Sequence, residues 1–422
     1  MNHDDYDSRL DLVHGVLGKH GLKAASVDPL DYDPDCPFPF NNFLYRVQLA
    51  SPANTKHFTG LDQPCTTAAP AEGLSTVVVR LSNPRAGGLQ QANRVQNEVA
   101  ALYLAQAGMK AVRPSAVSVI PSVYAWQPRT AETEAKAVYG WLIMEYKTGT
   151  PLDKLFDDLS PKAKDSVRLQ VAQIVAGLQS APLSDEAPLL GSGYIGGLTI
   201  TDSGGHIAPG CMTTLKGGPW RSYADFVQTR LADQQTEGGD SSKIKDIFPV
   251  SGVEATRRVL VHGDLTMNNM LYDKESGKIT GVVDFDFAFI GPPVYEYLIS
   301  LQDIGGNLPS LMQELEGHES VVNTYLSSTA TPADEADLLS EQQVALQSTV
   351  SFFGALADAK ALPPTDIWGI VTWLNLYRLE TLLCPMRLVH PHFLKKKTED
   401  EIAEARKLTE SKILACLQGL GT

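Results

Sequence analysis

Cysteine is scarce: Cys36, Cys65, Cys211, Cys384 and Cys416 are the only five in 422 residues, and no CxxC pair occurs. An odd number at wide spacings argues against a disulfide framework and predicts thiols kept reduced. Basic residues are outnumbered, 35 Lys and Arg against 49 Asp and Glu, for a formal net charge of −14. An acidic surface repels phosphate backbones and anionic lipid, so neither nucleic acid nor a membrane is expected as a partner. Long apolar runs are missing too, since none reaches the ~20 residues of a membrane span. The opening residues, MNHDDYDSRL, have neither the basic nor the apolar region of a secretory signal. These absences predict a cytoplasmic protein and leave its oligomeric state open.

The chain is long enough for two domains. Leu10, Val13 and Leu17 stand at helical spacing before Gly21, predicting a leading helix within residues 1–25. NNFLYRVQLA, STVVVRLS, VSVIPSVYAW and VYGWLIMEY read as strands. Residues 51–75, rich in Pro, Ala, Thr and Gly and without periodicity, read as a flexible loop. Between strands, Val95, Val99, Leu102 and Ala105 line one face of an amphipathic helix. The character changes after Glu145. Ser160 is a good N-cap with Pro161 at the first helical position, and apolar residues then recur at helical spacing. Thr398 and Glu401 form a capping-box pattern before a last helix. The expected boundary separates a sheet-rich lobe, 1–145, from a helical lobe, 146–422.

Within the second lobe, VLVHGDLTMNNMLYDKESGKITGVVDFDFAFIGPP, residues 259–293, crowds acids onto apolar segments. Gly263 lets the backbone turn, which places Asp264 at the mouth of a loop five residues before Asn269. Asp284 and Asp286 are read as sharing one face of a strand, because strand side chains repeat every two residues. Carboxylates and a carboxamide are hard oxygen donors that suit Mg²⁺, which completes its shell with phosphates and water. Asp264 is then left over as a base toward a hydroxyl, the division of labour that phosphoryl transfer requires.

HGDLTMNNML followed by GVVDFDFAFIGPP resembles the motifs of the aminoglycoside phosphotransferase and choline kinase-like superfamily. The resemblance implies a bilobal α+β, protein-kinase-like fold, with a small antiparallel-sheet lobe carrying one main helix and a large, mainly helical lobe. It implies ATP as co-substrate and Mg²⁺ as cofactor. By it Asp264 is the catalytic base, and Asn269 and Asp284 are metal ligands. Asp286 matches a further acidic ligand of some members. Upstream, Arg80 stands where the phosphate-holding cation is expected and Glu98 on the helix that pairs with it, although the family commonly has Lys. Asn42 ends the nucleotide-covering turn, which lacks the usual glycines. Glu145 and Tyr146 lie at the hinge expected to meet the nucleobase.

Other residues have plainer readings. His262 is expected to hold its loop through hydrogen bonds, Trp220, Trp373 and Tyr377 to fill core, and His390 and His392 to lie on a surface loop. The expected function is ATP-dependent phosphorylation of a small-molecule hydroxyl. The alternative is a catalytically silent nucleotide-binding module, suggested by the glycine-poor turn and by Arg80.

Overall fold

The computed structural model describes residues 2–30, 36, 38–114, 118–129, 139–183, 193–201, 204–236, 253–327, 338–383, 388, 394–395 and 397–419. His390 and His392 lie outside the described residues. Helix α1 (Tyr6–Lys19) buries Val13, Val16 and Leu17 against a five-stranded antiparallel sheet. The sheet runs in the order β1 (Ala24–Leu30), β2 (Asn42–Ala53), β3 (Leu74–Ser82), β5 (Trp141–Glu145), β4 (Val123–Gln127). Three consecutive valines, Val77 to Val79, give β3 its central place. β-Branched side chains suit a pleated surface covered on both sides, and here β2 and β5 flank the strand. β1 was not foreseen, because AASVDPL carries little apolar alternation.

Residues 51–75 are a correction to the expected flexible loop. Phe58 and Ala69 are buried in the sheet's core, Thr67 N donates to the Val123 carbonyl at 2.8 Å, and Trp126 Nε1 donates to the Pro64 carbonyl at 3.0 Å. Irregular backbone is held by individual hydrogen bonds that leave no periodic trace in sequence.

Helix α2 (Arg94–Val112) was expected to belong to the sheet-rich lobe, but its apolar face enters the larger core. It crosses α3 (Pro161–Gln179) at a pair of glycines, where a Cβ on Gly108 would stand 2.1 Å from the Gly177 carbonyl oxygen. It also packs on β7 (Gly197–Ile200), which pairs with β8 (Ile207–Gly210). Ser160 caps α3 as expected, accepting from Ala163 N.

Short strands follow, with α4 (Tyr223–Thr236) between them: β6 (Thr150–Pro151), β9 (Val259–Val261), β10 (Met270–Asp273), β11 (Lys278–Val282) and β12 (Phe289–Gly291). β9 pairs with β12, and β10 lies between β6 and β11. Helices α5 (Val294–Ile299), α6 (Leu308–Glu314), α7 (Glu319–Ser327), α8 (Ser340–Asp358), α9 (Ile370–Leu383) and α10 (Glu399–Gly419) complete the second core. The Thr398–Glu401 capping box forms at the start of α10. Trp220 and Trp373 join Phe226, Phe289 and Tyr295 in a buried aromatic cluster, and Tyr377 packs on the same core. The α+β class read from the sequence is the one observed. Among the described residues no helix is long and apolar enough to cross a membrane.

Candidate active site

A cleft of about 520 Å³ opens between the sheet and the β10–β11 hairpin. Its walls include Asn42, Arg80, Glu98, Glu145, Tyr146, Asn269 and Asp284. The structure thus brings together seven of the residues singled out from sequence. Asp264 sits just behind, joined to Asn269.

The loop after β9 is fixed from several sides. Gly263 has φ +85°, and a Cβ there would lie 2.5 Å from the Phe287 carbonyl oxygen, so only glycine fits. His262 is fully buried. Its Nδ1 accepts from Asp264 N at 3.2 Å, which makes Nε2 the protonated nitrogen, 3.1 Å from the Val283 carbonyl. His262 N donates to Glu296 Oε2 at 2.7 Å. Glu296, buried on α5, is pushed up to about 7 by burial, opposed by hydrogen bonds from His262, Ser300 and Gly263. Asn269 Nδ2 donates to both Oδ2 and the carbonyl of Asp264 at 2.9 Å. Burial and then the charge of Asp284 push the Asp264 carboxyl up to about 6, against the Asn269 bond.

Burial lowers the His262 ring to about 4, partly offset by the Val283 bond. An unfolded histidine titrates near 6.5, so between these values the unfolded state binds more protons. Stability is therefore intact above pH ~6.5 and is lost as pH falls toward 4, by about 3 kcal/mol at 1.36 kcal/mol per unit. Urea melts of wild type and His262→Gln at pH 7 and pH 4 check this. The gap between the two proteins should change by that amount in the glutamine variant's favour, and parallel acid losses would refute it.

The strand expected to present Asp284 and Asp286 together is a second correction. β11 stops at Val282, and residues 285–287 form a single 3₁₀ turn. Asp284 takes left-handed backbone angles, φ 65° and ψ 61°, a strain of about 1–2 kcal/mol for a residue with a Cβ. The turn sends the two carboxylates apart. Asp284 faces the cleft, where burial and then the Asp286 charge raise its carboxyl. Asp286 turns inward, 2% exposed. It meets Arg94 and, at 3.2 Å each, Arg80 Nη2 and Asn42 Nδ2. Burial alone would raise it, but Arg80 and Arg94 outweigh that and hold it ionised below the ordinary aspartate range. With its oxygens taken, Asp286 does not fit the ligand role expected of it.

Arg80 reaches Glu98 through Nη1 at 2.5 Å and Asp286 through Nη2 at 3.2 Å, while its Nε makes no hydrogen bond among the described residues. Both side chains are buried, and burial raises the Glu98 carboxyl despite the arginine beside it. Glu98 and Asp286 take the ion pairs of Arg80 and Arg94, and Asp284 makes none within 4 Å among the described residues. Among the described residues no three His, Cys, Asp or Glu side chains gather into a metal site on their own.

At the hinge, Glu145 N donates to the Ser122 carbonyl at 2.8 Å, so that N–H is already committed. Its carboxylate is tied to Lys147 at 2.6 Å and to Ser122 N. The Tyr146 ring lies 5.1 Å from the Arg46 guanidinium. Arg94, Glu296 and Lys147 were not singled out from sequence. Each stands among residues that read as an ordinary helix face or loop, and only the tertiary fold reveals its partner.

A viomycin phosphotransferase of Streptomyces vinaceus is 25% identical over 157 residues, spanning 36% of this chain and 46% of that protein, so the chain matches less than half the length of this curated relative. Among solved structures, the GDP complex of wild-type aminoglycoside 2'-phosphotransferase-IIIa has a TM-score of 0.43 at 12% identity, covering 96% of this chain and 98% of its own. An ethanolamine kinase of Plasmodium vivax has a TM-score of 0.37 at 10% identity, covering 93% and 81%. Residues 68–319, more than half of the chain and including β3, α2, the hinge and the whole 259–293 stretch, match the model of the phosphotransferase enzyme family. The chain belongs to that family.

Proposed function

We propose that this protein is an ATP-dependent phosphotransferase that moves a phosphoryl group onto the hydroxyl of a small molecule. The observation that carries the reading is the convergence on one cleft of Asn269, Asp284 and Arg80, whose Nε makes no hydrogen bond among the described residues. In this reading Asp264 is the base. Its Oδ2 is occupied by the Asn269 amide, which leaves Oδ1 to accept the proton of the acceptor hydroxyl. Arg80 draws phosphate oxygens through Nε while Nη1 stays on Glu98 and Nη2 on Asp286. The Glu145 carbonyl and the Tyr146 backbone border the nucleobase.

The donor set fits Mg²⁺. Asn269 and Asp284 offer hard oxygens, Asp284 has no ion-pair partner among the described residues, and two protein ligands leave room for phosphate oxygens and water. When bound, Mg²⁺ supplies neutralisation of the charge developing on the transferred phosphoryl group. Asp286 is outside this set and acts as the anchor of the two arginines. The 1–145 and 146–422 lobes then contribute Arg80 and Glu98 on one side and Asp264, Asn269 and Asp284 on the other.

The test is ATP consumption over a panel of hydroxylated acceptors: amino alcohols, aminoglycosides, thiosugars and viomycin. Wild type should turn over at least one acceptor in a Mg²⁺-dependent way. Asp284→Ala should lower kcat/KM by about 10²-fold or more, the scale for removing charge stabilisation at the reacting centre. Acceptor turnover that persists in Asp284→Ala, or in excess chelator, would sink the proposal.

A further inference from the structure

Resting on that reading, we propose that Arg94 is a positioning residue that locks the start of β2 and the Asp284–Asp286 turn into one frame. The wall over the nucleotide and the cation ligand are thereby set together.

Arg94 opens α2 and is 1% exposed. Its Nε donates to Asp286 Oδ1 at 3.2 Å, and its Nη2 meets Oδ2 of the same carboxylate. Nη2 also reaches the Asn41 carbonyl and Asn42 Oδ1, each at 3.0 Å. Nη1 donates to the Asn83 carbonyl at 3.3 Å and to Gln91 Oε1 at 3.2 Å. A guanidinium carries five N–H donors, and these acceptors occupy them all. Arg94 has nothing left for a phosphate, which separates it from Arg80.

The three segments it joins are distant in sequence. Asn41 precedes β2 and Asn42 begins it, Asn83 follows β3, and Asp286 lies in the turn after β11. Asn42 closes the circuit by donating to Asp286 at 3.2 Å. The strained residue, Asp284, sits two positions before the carboxylate that Arg94 grips. On its other side Val283 N is held by the Asn269 carbonyl at 2.9 Å. A left-handed aspartate persists only where its surroundings over-determine it, and these two anchors do so. A planar fork can serve several segments at once, whereas an ammonium is a single point.

The test uses the full-length protein with Arg94→Met and Arg94→Lys, titrated by calorimetry with ADP at varied Mg²⁺ and with adenosine alone. Folding is checked by circular dichroism. Adenosine, which has no phosphate, should bind as in wild type. The Mg²⁺ concentration for half-saturation with ADP should rise about tenfold or more in both variants, the scale for removing a partner that orients a metal ligand. Lysine should not rescue. A folded variant whose Mg²⁺ requirement matches wild type overturns the proposal, because a purely stabilising ion pair would lower only the melting temperature. If Arg94→Met does not fold, Arg94→Lys and Asn42→Ala, which opens the same circuit from β2, decide by the same readout. Wild type that binds no Mg-ADP overturns the phosphotransfer reading and this proposal together, whereas normal wild-type binding with unchanged variants overturns this proposal alone.

Discussion

Asp264→Asn is expected to lower kcat by about 10²–10⁴-fold, the usual contribution of a positioned general base, with nucleotide affinity retained. The substitution is nearly isosteric. Its side-chain oxygen can still accept from Asn269 Nδ2, which holds Oδ2 at 2.9 Å in the native protein. The backbone N–H to His262 Nδ1 is untouched, so the loop keeps its shape. What disappears is the capacity of the other oxygen to take a proton from the acceptor. Initial rates with a productive acceptor, together with a nucleotide titration, check both halves of the expectation. Turnover within tenfold of wild type would remove Asp264 from the base role.

Gly108→Ala should destabilise the protein by about 3 kcal/mol, the upper range for overpacking a filled core. Propensity alone predicts the opposite sign, since alanine inside a helix is favoured over glycine by about 1 kcal/mol. The contact decides. The new methyl would stand 2.1 Å from the Gly177 carbonyl oxygen, which is backbone and cannot rotate away, so α2 and α3 must separate. Gly15→Ala in α1 is the control, because nothing lies within 4 Å of its Cβ position, and it should stabilise by about 1 kcal/mol. Urea melts of the two variants should shift in opposite directions. A Gly108→Ala protein as stable as Gly15→Ala would show that the helix crossing adapts. The crossing matters beyond stability because α2 carries Arg94 and Glu98, and its distance from α3 sets where both groups meet the sheet.

Much of the candidate site was legible because its chemistry is local in the chain. Asp264 and Asn269 share one loop, Asp284 follows at the end of the next hairpin, and their residue types declare hard oxygen donors at any orientation. Arg80 and Glu98 were legible for a different reason: the resemblance to the phosphotransferase superfamily implies a cation on this strand and an acid on the following helix, whereas Glu98 by itself reads as a solvated charge. The elements around them were readable from period and cap, as with Ser160 before α3 and Thr398 before α10.

The misreadings fall where period stops being informative. Asp284-Phe285-Asp286 alternates like a strand, yet Asp284 turns left-handed and the two acids part. Residues 51–75 have no period but are held by bonds to Val123 and Trp126 on a distant strand.

The composition of the site and the α+β class are written in local stretches of the chain, since oxygen chemistry and hydrophobic period are carried by neighbouring residues. The allegiance of each charge is set by the folded arrangement. Arg94 and Arg80 claim Asp286 and leave Asp284 facing the cleft without an ion-pair partner among the described residues. That choice depends on distances among β2, α2 and the turn after β11, segments separated by up to 244 positions, and burial makes each such distance decisive because a desolvated charge must find its partner.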